Sequence, residues 1–103
     1  MSIEMTRGSG NVFLDIGFPR GEAVRLKIRS SMMGLATRTI EERGLTRKKA
    51  AIALGVTQAR ADDLRHGRIE NFKIDSLVEM LTNLGVELEF RAKIARPRKR
   101  ASR

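Results

Sequence analysis

Few side chains in this 103-residue chain are equipped for covalent chemistry. There is no cysteine, which excludes thiol nucleophiles, disulfides and thiolate metal sites. The one histidine, His66, cannot build a histidine metal site by itself. Asp62 and Asp63 are paired carboxylates, but adjacent positions on a helix point about 100° apart and make a poor shared acid–base or metal site. What remains is hydrogen bonding and charge. The amide of Gln58 donates one bond and accepts one, which matches the N7 and N6 edge of adenine. Thr57, Ala59, Asp62 and Asp63 stand close to it in the chain, and Arg43, Thr46, Arg47, Lys48, Arg60 and Arg68 surround the stretch with groups suited to phosphate oxygens. These residue types predict a binding protein with no catalytic site, metal or cofactor.

The elements that must position these groups lie between Thr46 and Arg68, in TRKKAAIALGVTQARADDLRHGR. A hydroxyl at Thr46 can accept an orphan backbone N–H and so start a helix running to Leu54. Ala50, Ala51 and Leu54 give that helix an apolar face. Gly55 follows where a left-handed residue ends a helix most easily. Val56 points the turn towards the core, and Thr57 caps a second helix, Gln58 to His66, which faces inward with Ala61 and Leu64 and stops at Gly67. Ala51 and Gly55 are four apart, as a tight crossing of the two helices requires. Cap, helix, glycine turn, cap, helix, glycine is the sequence form of a helix-turn-helix. A helix of about ten residues fits the major groove of DNA with its N-terminal residues at the base edges. The predicted base-reading residues are therefore Thr57, Gln58, Ala59, Asp62 and Asp63. The predicted phosphate contacts are Arg43, Thr46, Arg47, Lys48, Arg60 and Arg68. Two carboxylates on a groove face repel phosphate unless they accept from cytosine N4, pair with a base-reading arginine, or are neutralised by Arg60, Arg65 or Arg68.

With these residues in view, the segment resembles the Xre-type, lambda-repressor-like helix-turn-helix family. More narrowly, GNVFLDIGFP at 10–19, EERGLTRKKAAIALGVTQAR at 41–60 and IENFKIDSLVEMLTNLGVELE at 69–89 resemble a subgroup of small HigA-type antitoxins and regulators. The likeness covers about residues 10–90. It departs at Ala61, where the family prefers a larger aliphatic residue, and at Asp62, where a small hydroxyl is usual. The resemblance implies a repressor that controls its own operon and neutralises a cognate ribonuclease toxin, held by the arm at 10–19 or by the exposed flank of the first helix.

Around the motif the chain divides into an N-terminal arm at 1–21, partly disordered; a helical domain at 22–85; a strand at 86–94; and a basic tail at 95–103. The arm carries Val12, Phe13, Ile16 and Phe18, too apolar for a free tail, and is expected to lie across the domain or a second subunit. Glu22 to Arg43 reads as one long helix, open to a break near Gly34, with Val24, Ile28, Met32, Leu35, Ala36, Thr39 and Ile40 inward. Ile69 and Phe72 turn inward from a loop. Asp75 is expected to cap a helix at Ser76 to Leu84, buried through Leu77, Val78, Leu81 and Leu84. From Val86 to Ile94 the period changes to two, with Val86, Leu88, Phe90, Ala92 and Ile94 alternating with charged residues. Such a strand needs a partner. The candidates are the arm at 11–16 or the same strand of a second copy, where Glu87 and Glu89 would meet Arg91 and Lys93 of the mate. The second is preferred, through Val86, Leu88, Phe90 and Ala92.

The net charge of +9 is unevenly spread. Residues 91–103 carry seven Lys/Arg and no acid, whereas the rest is nearly neutral. The tail suits long-range attraction to phosphates, or simply solubility. No apolar run approaches the roughly 20 residues of a membrane helix, and the N-terminus lacks a signal peptide's apolar core, so a cytoplasmic location is expected. The resulting prediction is a mainly α fold: a five-helix lambda-repressor-like helix-turn-helix domain with a C-terminal β-strand paired across a homodimer. The expected partners are double-stranded DNA carrying an inverted-repeat operator, a second copy of the chain and a cognate toxin, with no membrane. The rival readings are a protein-interaction module that keeps the motif as scaffold, and nonspecific binding through the tail.

Overall fold

The computed structural model describes residues 12–92 and 94, so the expectations for residues 1–9 and for the tail from 95 lie outside the described residues. Among the described residues five α-helices follow in order: α1 (Val12–Asp15), α2 (Arg20–Glu42), α3 (Arg47–Leu54), α4 (Gln58–Arg65) and α5 (Ile74–Asn83), with a 3-10 turn, Ile69–Asn71, before the last.

One core joins α2 to α5. Leu54, Leu64, Phe72, Leu77 and Leu81 are its largest fully enclosed side chains, packed with Met32, Met33, Leu35, Ala36 and Ile40 of α2. Each such aliphatic or aromatic side chain contributes about 1.5–3 kcal/mol by leaving water. Thr39, the polar residue buried in this helix, turns its hydroxyl back to the Leu35 carbonyl at 2.8 Å. All five helices stop in the same way. A glycine with positive φ donates to the carbonyl three residues back, and the next residue donates to the carbonyl five back, as at Gly55 to Ile52 and Val56 to Ala51. In three cases the residue after the glycine, Leu45, Val56 or Val86, also packs on the core.

Several expectations are corrected. The long helix does not break at Gly34, and α2 runs 23 residues without interruption. The count of five is reached instead because the arm forms α1, whose Phe13 meets Phe18 edge to face at 6.1 Å between ring centres. This arm lies against the start of α2, where Ala23 and Leu26 are buried and the expected Val24 is exposed. The stripe shifts by one position there because α1 covers a different side of α2 from the central core. In α5, Asp75 lies in the first turn, not at the cap; the cap position is Lys73, with no side-chain bond. Asp75 instead places its carboxylate at the positive end of the helix dipole. Met80 takes the buried position expected of Val78.

No β-strand occurs among the described residues. Pairing of 86–94 with the arm is overturned, because the backbone of Val12–Asp15 is spent on α1. Val86 and Leu88 pack against the protein's own core, whereas Phe90 and Ile94 are 93% and 99% exposed. Among the described residues, no helix is long and apolar enough to cross a membrane.

Candidate nucleic-acid interface

The two motif helices are set by local chemistry at both ends. The Thr46 hydroxyl accepts from the Lys49 amide at 3.2 Å, and the Thr57 hydroxyl from the Arg60 amide at 3.1 Å. Both residues have extended backbones, as N-caps should. Between them Gly55 sits at φ 77°, and a Cβ there would lie 2.7 Å from Nδ2 of Asn83. That amide donates to the Leu54 carbonyl at 3.0 Å, so α5 closes the C-terminus of α3 at the point where the chain turns into α4. Glycine is needed here for conformation and for space alike.

Behind α4, Ala61 and Leu64 are buried. In front, Gln58 and Ala59 are exposed at its first turn, and Thr57 is exposed at its cap. Asp62 and Asp63 follow, each half-buried and each matched by a cation. Asp62 accepts two bonds from Arg47, from Nε at 3.0 Å and Nη2 at 2.8 Å. Asp63 lies 3.5 Å from Nε of Arg68 and receives a long bond of 3.5 Å from the Asn71 amide. Of the three arginines expected to neutralise this pair, only Arg68 does so. Arg47, expected at a phosphate, takes the other. His66 caps the C-terminus, with its ring Nδ1 2.7 Å from the Asp62 carbonyl.

The structure gathers some of the predicted phosphate residues and diverts others. Thr46 and Lys48 are exposed at the start of α3, beside Lys49. Arg60 is engaged elsewhere: its guanidinium stacks over Phe72, 4.4 Å from the ring centre, and its Nη1 donates to the Asn71 carbonyl at 2.7 Å. Arg43 donates from Nη1 to the Leu84 carbonyl at 2.7 Å, satisfying the end of α5. Arg29 joins Arg60 in holding the loop, with Nη1 3.1 Å from the Phe72 carbonyl.

The positioning residues Asn83 and Arg29 were missed by sequence reasoning. Their partners are 29 and 43 residues away, and no local pattern announces them. For α1 a signal was present: Gly17 followed by Phe18 repeats the glycine–apolar pair found at 44–45, 55–56 and 85–86.

A family model described as "Helix-turn-helix domain" matches residues 12–93, which includes every described element. No curated protein matches the chain.

Proposed function

The chain belongs to this helix-turn-helix domain family, and on that premise we propose that it is a sequence-specific, DNA-binding transcriptional repressor acting as a homodimer. The observation that carries the reading is the exposed leading turn of α4, Thr57 to Ala59, with the two carboxylates behind it already matched by arginines of the same domain. Gln58 reads adenine through its amide, Thr57 and Ala59 contact neighbouring base or sugar edges, and Thr46, Lys48 and Arg68 engage phosphates. Asp63, partnered by Arg68, lines the same face. Arg43 and Arg60 contribute through the donors their intramolecular bonds leave over. Two copies of α4 about 34 Å apart reach successive major grooves of an inverted repeat. The segment 86–94 pairs with its mate to hold the copies together through the uncovered Phe90, Ala92 and Ile94, whereas Val86 and Leu88, expected at the same seam, are occupied by the chain's own core.

The resemblance to HigA-type regulators adds the finer role of an antitoxin that represses its own operon and binds a cognate toxin in the cytoplasm. The rival scaffold reading drew its support from the two aspartates, and their pairing with Arg47 and Arg68 offsets part of the repulsion on which it relied.

A competition titration tests the function, with the full chain, a duplex from upstream of its own gene and mixed-sequence competitor. The expected result is binding at least a hundred-fold tighter to the upstream duplex, in line with roughly 10³ or more for specific sites. Gln58→Ala should erode that preference while leaving mixed-sequence binding unchanged. Equal affinity for both duplexes removes the repressor reading.

A further inference from the structure

The Arg47–Asp62 pair joins the two motif helices on the side of α4 that carries Gln58, since residues four apart stack on one helix face. We infer that the pair is a guanine-reading unit: Asp62 holds the Arg47 guanidinium so that its outer edge takes the O6 and N7 of a guanine in the major groove. The inference deepens, and rests on, the groove-reading function proposed above. It reassigns Arg47 from phosphate clamp to base reader.

The geometry divides the guanidinium into two edges. Asp62 occupies Nε and Nη2, the side edge, at 3.0 and 2.8 Å. The end edge, Nη1 and the second hydrogen of Nη2, is a fork of two parallel donors, which fits guanine O6 and N7. Arg47 remains 57% exposed along its side chain, whereas Asp62 is 27% exposed. The carboxylate is thus the fixed member, and the guanidinium the presented one.

Electrostatics separates guanine from phosphate as the target. A carboxylate bonded to the guanidinium cancels most of its charge and itself repels a phosphate. A phosphate clamp gains nothing from such a neighbour. The guanine edge is neutral, so it is not repelled, and it rewards a guanidinium whose orientation is already set. Arg68 differs. It meets Asp63 through Nε alone, at 3.5 Å, without the two-bond register that would fix an edge. The placement also gives the reading order: Gln58 at the first turn of α4, and the Arg47 fork one turn further along, beside Asp62.

The test is selection from a pool of duplexes randomised over about 20 base pairs, using the full chain, Arg47→Lys and Asp62→Asn, with a thermal melt of each to establish folding. Wild type should enrich sites with an invariant guanine in each half. Arg47→Lys keeps the charge but loses the fork, so the guanine preference should fall roughly ten-fold or more while other positions and the salt dependence hold. Asp62→Asn should relax the same position and at the same time raise affinity for mixed-sequence DNA, because a repelling carboxylate has gone. A staple that merely joins α3 to α4 would shift the melt and leave the base preferences intact. Unchanged preferences at every position in both variants overturn the inference alone. A wild-type pool that enriches nothing overturns the groove-reading function and this inference with it.

Discussion

Gly55 and Asn83 decide how α3 hands the chain to α4. The glycine holds a left-handed conformation that disfavours any other residue by about 1–2 kcal/mol, and the asparagine amide occupies the space a Cβ would enter. Gly55→Ala is therefore expected to lower stability by roughly 2 kcal/mol or more, measured by urea unfolding. In an Asn83→Ala background the same change should cost about 1 kcal/mol less, because the close contact is gone and only backbone strain remains. Equal costs in both backgrounds would refute the steric part. At this scale the threonine caps were legible, because each bonds an amide three residues on. The arginines were not. Arg43, Arg47 and Arg60 share a charge and a neighbourhood in sequence, yet one closes α5, one pairs with Asp62 and one stacks on Phe72. Their partners lie 41, 15 and 12 residues away, beyond the reach of any helical period.

The glycine–apolar pairs at 44–45, 55–56 and 85–86 mark helix ends, since the glycine supplies the turn and its neighbour packs on the core. The break to which α2 was open near Gly34 did not occur, because packing along both sides of that position carries the helix through it: Met32, Met33, Leu35 and Ala36 are all buried. Glycine in a helix interior costs about 1 kcal/mol relative to alanine. A Cβ built at Gly34 meets no atom within 4 Å. Gly34→Ala is accordingly expected to stabilise the domain by about 0.5–1 kcal/mol, seen as a higher melting temperature. Destabilisation would mean that this face of α2 is covered in solution. The arm shows the opposite relation, where tertiary contact creates a short element. Four residues are far too few for an isolated helix, and α1 exists against α2 with Phe13 and Phe18 folded together.

For the molecule as a whole, the outstanding feature is a segment, 86–94, that begins on the core and ends in water. An exposed Phe90 and Ile94 alternating with charged residues make a surface suited to a second copy. Sedimentation of the full chain should give twice the chain mass, and Phe90→Ser with Ile94→Ser should give one. Truncation after Ile94 removes five basic residues. It should flatten the salt dependence of DNA binding by up to about four in log–log slope while preserving sequence preference. A wild-type monomer would sink the paired-strand proposal. Local periodicity, capping hydroxyls and turn glycines were enough to determine the helix-turn-helix and its inward residues, because each acts within a few positions of itself along the chain. Which arginine pairs with which carboxylate or carbonyl, that the arm coils instead of extending, and how much of the alternating segment is claimed by the core were decided only by the tertiary structure. Those outcomes depend on groups in different elements that only folding brings together.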